Sequence, residues 1–262
     1  MKFHRVYAIV IRHLLSIKHN FDRITDVFYW PAIDMFVWGL TSSYLSSGPW
    51  KMANIIILIV SGLVFWTIAW RLPYETAISL LDDIWNRNLV NMFVSPLQFN
   101  EWLLAVGIIS GLKALTSFVW SAILALVFFK VGILSFGPVI VPFIFLLFLT
   151  GWTLGFAITA LVFRFGQKVQ AFAWTLGAII MPFSAIYYPV KVLPQWAQTI
   201  AHVVPTSYIF EGVRYFQATG KMDTQGILVS LTLNIFYFLI SLYFLNKSFT
   251  RVLKIGLNSL QT

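Results

Sequence analysis

The sequence predicts an all-α integral membrane protein, and three observations carry that prediction. Of 262 residues, 59% are hydrophobic and only 10% charged, whereas a soluble domain carries about 25% charge. Six apolar stretches approach the ~20 residues that a helix needs to cross a bilayer. The gaps between them are short, so 1–262 reads as a single transmembrane domain with no room for a soluble one. The absence of cysteine excludes disulfides, thiolate metal sites and cysteine nucleophiles. The opening residues mix charged and apolar side chains with no small-residue cleavage site, so no signal peptide is expected.

Segment 1–26 comes first. Phe3, Val6, Val10, Leu14, Ile17 and Phe21 recur at helical spacing, while Arg5, Arg12, His19 and Arg23 fall on the other side. That pattern predicts an amphipathic helix in the membrane interface, its basic face turned to anionic lipid. Six transmembrane helices follow at about 27–47, 53–72, 102–129, 139–163, 169–188 and 226–246. Trp30, Trp50, Trp70, Trp102 and Tyr188 fall near their ends, as interfacial aromatic belts require.

The distribution of Lys and Arg sets the orientation. With the N-terminus inside, Lys2, Arg5, Arg12, Lys18, Arg23, Arg71, Arg87, Arg164, Lys168, Lys247, Arg251 and Lys254 are cytoplasmic. Lys51, Lys130, Lys191, Arg214 and Lys221 are external, and Lys113 lies within a span. Twelve against five predicts that both termini are cytoplasmic.

Region 73–100 is then the one long cytoplasmic connection. Pro73 can bend the end of the second span, and Pro96 after Ser95 is expected to stop whatever helix precedes it. Between them Ile78, Leu81, Ile84 and Trp85 mark an apolar helical face, and Asp82, Asp83, Asn86 and Arg87 a polar one suited to dock on another protein. Segment 182–216 is external. Pro182, Pro189, Pro194 and Pro205 cut it into pieces too short to cross, yet it stays rich in aromatic and aliphatic side chains. This predicts short re-entrant or outer helices sheltered by protein.

Charges at membrane depth are costly and are functional candidates by default. Asp34 and Lys113 are expected at similar depth near the cytoplasmic side, paired with each other or lining an inner vestibule. The alternatives are a first-turn acid after Pro31 and a snorkelling lysine. Gly107-x-x-x-Gly111 and Gly151-x-x-x-Gly155 predict close helix packing within the subunit. Phe172, Trp174, Phe183, Tyr187 and Tyr188 are the aromatics placed nearest a pathway, and Glu211 and Arg214 are spaced to meet on one helical face.

Taken in order, these elements resemble an ABC-2 type permease, the membrane subunit of ABC exporters for drugs, lipids and polysaccharides. The segments that carry the resemblance are Asp83-Ile-Trp-Asn-Arg-Asn-Leu-Val-Asn-Met-Phe-Val-Ser-Pro-Leu97, Leu193-Pro-Gln-Trp-Ala197 and Val204-Pro-Thr-Ser-Tyr-Ile-Phe-Glu-Gly-Val-Arg214. The resemblance implies that 73–100 holds a coupling helix for a separate ABC ATPase, contacted through Asp82, Asp83, Trp85, Arg87 and Asn91. It implies ATP and Mg on that partner and no cofactor, metal or nucleic acid on this chain. A second permease copy, a homodimer, and a bacterial inner-membrane location in contact with lipid are further implications. Phe183, Tyr187, Tyr188, Trp196, Tyr208, Glu211 and Arg214 would then form an outer gate, with two brief helices at Leu193–Val204 and Thr206–Phe216, separated by Pro205, keeping the outer mouth shut.

This chain has no G-x-x-x-x-G-K-[ST], so it brings no phosphate-binding loop of its own. A membrane enzyme is disfavoured. His4, His13 and His19 lie on the first helix and His202 outside, no G-x-S-x-G is present, and Asp82-Asp83 lacks the further acid of a metal–diphosphate site. A secondary transporter would favour charges in several spans and a detectable repeat. An apolar or amphipathic cargo, drug or lipid in preference to a lipid-linked glycan, suits an interior with so few charges.

Overall fold

The computed structural model describes residues 1–18, 21–47 and 54–256, so His19, Trp50 and Lys51 lie outside the described residues. Among those described, ten α-helices follow in chain order. They are α1 (Phe3–Lys18), α2 (Phe21–Ser47), α3 (Ile55–Trp85), α4 (Leu89–Val94), α5 (Phe99–Phe129), α6 (Ile140–Phe165), α7 (Phe172–Ile180), α8 (Gln195–Ala201), α9 (Pro205–Thr219) and α10 (Thr224–Ile255).

Four helical segments are long and apolar enough to cross a membrane: α3, α5, α6 with its flanking turns, and α10. The 27-residue α2 has the length, ~40 Å at 1.5 Å per residue, but Arg23, Asp26 and Asp34 make it more polar. It continues through Pro31. A proline removes the N–H that would bond the carbonyl four residues back, here Val27, and Ser117 of α5 donates its hydroxyl to that oxygen at 3.0 Å instead. Trp120 Nε1 donates to the next carbonyl, Phe28, at 3.0 Å.

The expected span at 169–188 is not one helix. The nine-residue α7 lies between 3-10 turns at Gly166–Val169 and Met181–Phe183. At ~14 Å it is too short to cross alone. Gly166 at φ 67° and Ala185 at φ 57° bend the chain on either side. Beyond it, α8 and α9 are two short helices, and Pro205 occupies the first position of α9, where its missing N–H costs nothing.

The largest departure from expectation is α3. Pro73 does not end it; the helix runs on for twelve residues to Trp85. A proline inside a helix costs ~3 kcal/mol, and packing outweighs that cost here, since Leu72, Pro73, Ala77, Ile78, Leu80 and Leu81 are all buried. One aromatic core surrounds Phe65, Phe118, Phe136 and Phe143. A second surrounds Trp102, Phe163 and Phe249. Trp102, expected in an interfacial belt, is thereby fully buried, because α5 starts three residues earlier and Phe99 stacks on it.

Helix α6 lies against α3 through its small residues. A Cβ on Gly151 would sit 2.5 Å from Leu72 Cβ, and one on Gly155 2.7 Å from Thr76 Cβ. Gly107 on α5 is looser, with only Trp152 Nε1 at 3.9 Å. Gly151→Ala is therefore expected to destabilise the protein by about 1–3 kcal/mol through overpacking. Gly107→Ala should melt with the wild type in a detergent thermal-shift assay.

Candidate functional site

The continuation of α3 past Pro73 places Arg71 and Glu75 one turn apart on one face. Glu75 is 1% exposed and meets two cations, Arg71 Nη2 at 2.7 Å and Lys113 Nζ of α5 at 2.6 Å. Arg71 also reaches Asp26 Oδ2 of α2 at 3.2 Å. Two positive and two negative groups thus balance where α2, α3 and α5 meet.

This corrects the expected Asp34–Lys113 pair. Lys113 faces α3 and bonds Glu75, whereas Asp34 lines a pocket between α2, α3 and α7. Sequence reasoning missed Glu75 because the second span was expected to end at 72, which put the acid in a cytoplasmic loop. The detectable signal was Arg71-x-x-x-Glu75, an i,i+4 ion pair straddling the proline.

The end of α3 corrects a second expectation. Asp82 and Asp83 do not form an exposed polar face. Asp83 accepts from Arg12 Nη2 at 3.0 Å, and Asp82 pairs with Arg23. The basic side of α1 therefore faces protein carboxylates, not lipid headgroups. At its start Arg5 lies 3.4 Å from Glu101, which also accepts from the Lys2 backbone at 2.6 Å and caps α5 through the Gln98 N–H at 3.0 Å. Phe3, Tyr7 and Leu14 are left on the exposed side of α1. What remains exposed at the tip is Trp85 (42%), Asn86, Arg87, Asn91 and Val94, anchored by buried Leu89 and Met92.

The pocket beside Asp34 has a volume of about 450 Å³ and a wall of Trp30, Trp66, Trp70, Tyr74 and Trp174. Trp70 is held against α7, since a Cβ on Gly177 would lie 2.8 Å from its ring. Phe172 is exposed at the start of α7, outside this wall. A larger apolar hollow of about 630 Å³ between α6 and α10 contains none of the expected site residues.

The residues expected at an outer gate form a bonded unit. Phe183 packs edge-on to Trp196, with centroids 6.1 Å apart, and Tyr187 stacks on Trp38 of α2 at 4.5 Å. Tyr188 donates its hydroxyl to Pro182 O at 2.9 Å and Tyr208 to His202 O at 3.0 Å. Glu211 and Arg214 meet at 3.2 Å, and Glu211 also accepts from Val190 N at 2.6 Å. Arg214 donates to the carbonyl of Ala185, bracing that left-handed residue. Burial lowers the Arg214 guanidinium pKa, with Glu211 opposing the shift.

Four long apolar helices among the described residues, with a pocket between α2, α3 and α7, fit a multi-span membrane protein. A family model described as ABC-2 type transporter matches residues 5–218, and the chain belongs to that family. It is the membrane permease of an ABC transporter. A comparison with curated proteins finds no match.

Two measurements check this geometry. Glu75→Gln would leave Lys113 without a counter-charge and Arg71 with Asp26 alone, and should cost about 3–5 kcal/mol. In double-mutant cycles on thermal stability, Glu75 and Lys113 should couple, while Asp34→Ala and Lys113→Ala should add within ~0.5 kcal/mol. The second concerns pH. Burial, then the Arg12 charge beside it, lowers the His13 pKa from 6.5 to about 4. The unfolded chain binds this proton first, so stability is complete above pH ~6.5 and falls toward pH ~4. Melting between pH 7.5 and 5 should show that loss, and His13→Gln should flatten it.

Proposed function

We propose that this permease exports an apolar or amphipathic molecule from the cytoplasmic side, driven by a separate ABC ATPase that docks on the tip formed by Trp85, Asn86, Arg87 and Asn91. On this reading α2, α3, α5, α6, the α7 segment and α10 make six crossings of a bacterial inner membrane, with both termini cytoplasmic. Two permease copies would pair with two ATPase subunits, and ATP and Mg would bind on those partners.

A single observation carries the reading: one unbroken helix joins the tip to the pocket. Trp66, Trp70, Arg71 and Tyr74 line the pocket, and Trp85 ends the same α3. Motion imposed at the tip by nucleotide-driven closure reaches the pocket through one rigid element. The bonded outer unit, 182–216, would close the exit, and drugs, lipids and lipid-linked glycans are the cargo classes that suit the pathway.

The test is reconstitution of the permease with its ATPase in vesicles. Trp85→Ala with Asn91→Ala should leave the permease inserted and folded but lower substrate-stimulated ATP hydrolysis and export about tenfold or more. Removing 194–204 should preserve ATPase binding and abolish coupled export. Export that ignores ATP hydrolysis and follows an ion gradient would instead assign the Glu75 cluster to a secondary transporter.

A further inference from the structure

The pocket beside α2 carries an unbalanced charge. Among the described acidic side chains, Asp26, Glu75, Asp82, Asp83, Glu101 and Glu211 are each ion-paired, and Asp223 caps α10. Asp34 alone has neither a hydrogen bond nor an ion pair, and it is exposed to the pocket. The other charged groups on the pocket wall are Asp26 and Arg71, which bind each other, and Arg71 binds Glu75 as well. The pocket therefore has one negative charge in excess.

Its walls are the second observation. Four indoles and a phenol surround the carboxylate, and indole faces attract cations best among aromatic side chains. One wall already does so within the fold: the Arg71 guanidinium lies 5.2 Å from the centroid of the Tyr74 ring. Trp70 is held by α7, and Trp66 is buried beside Phe210 at 6.2 Å. These walls are thus fixed before a ligand arrives. The volume, about 450 Å³, falls within the ~300–1,000 Å³ of small-molecule sites.

We infer that this pocket binds a lipophilic organic cation, one positive charge on an apolar aromatic or aliphatic body, with Asp34 as its counter-charge and Trp30, Trp66, Trp70 and Trp174 as its cage. An anion would meet Asp34 with Arg71 already engaged. A neutral body would fill the cage and leave the carboxylate uncompensated. A sugar ring could stack on the indoles but would offer only hydroxyls to the charge. The inference extends the permease reading by naming the class of cargo, and its binding step needs no ATPase.

The experiment uses the full chain in phosphatidylcholine nanodiscs, with empty discs as control, and follows tryptophan quenching by tetraphenylphosphonium and by uncharged triphenylphosphine oxide. The cation should bind at least about tenfold more tightly than the oxide. Asp34→Asn breaks no bond and should keep the wild-type melting temperature. It should abolish the preference while oxide binding persists. Trp174→Ala, at an exposed position, should weaken the cation several-fold. Equal binding of the two probes, an Asp34→Asn variant that still prefers the cation, or displacement of the cation by a soluble alkyl glucoside would overturn the inference, the last in favour of a glycan. ATP-driven export of a neutral cargo without cation binding would remove this site and keep the permease. Cation binding without ATP-driven export would do the reverse.

Discussion

Glu75 is the group on which the arrangement of this protein depends. A lone carboxylate at 1% exposure would be untenable in a low-dielectric interior, and without it Lys113 would lose its counter-charge and Arg71 would keep only Asp26. Because Arg71, Lys113 and Asp26 come from three different helices, satisfying Glu75 fixes α2 and α5 against α3 in one register. Lipid gives apolar helices little reason to prefer one neighbour over another. Ion pairs and small-residue contacts must therefore supply the specificity that a hydrophobic core supplies in water.

The same logic explains the start of the chain. Arg5, Arg12 and Arg23 would suit an anionic lipid surface by composition alone. The structure uses them instead on Glu101, Asp83 and Asp82, tying α1 and α2 to the ends of α5 and α3. Surface ion pairs contribute little singly, but the two from α1, on the buried acids Glu101 and Asp83, define where α1 lies, and the third sets the start of α2 against α3. The helix that looked like a lipid anchor is also a strap across the tip.

Much of this was legible in the residues. The helical class, the long apolar helices, the short helices around Pro205 and the Glu211–Arg214 pair follow from composition, periodicity and i,i+3 spacing. The errors trace to the limits of local patterns. The second span was expected to stop at 72 with a cytoplasmic loop beyond it, which hid Glu75, and the polar face of that loop's helix was expected to point outward, whereas long-range packing keeps one helix to Trp85 and turns Asp82 and Asp83 to Arg23 and Arg12. Pro31 is tolerated because Ser117, 86 positions away in sequence, satisfies the carbonyl it frees. No local pattern contains that information. The pairing of Lys113 failed likewise: sequence gives depth along each helix but not the direction in which a side chain points.

The length of α3 has a mechanical consequence. Held at Glu75, the helix has two unequal arms, about 15 Å to Trp85 and about 30 Å to Ile55 at 1.5 Å per residue. It is a first-class lever with its fulcrum nearer the driven end. A tilt that moves the Trp85 end by 1 Å swings the Ile55 end by about 2 Å in the opposite direction. On the proposed coupling, the short arm would trade force for travel, and a small displacement of Trp85 would become a wider one at Ile55.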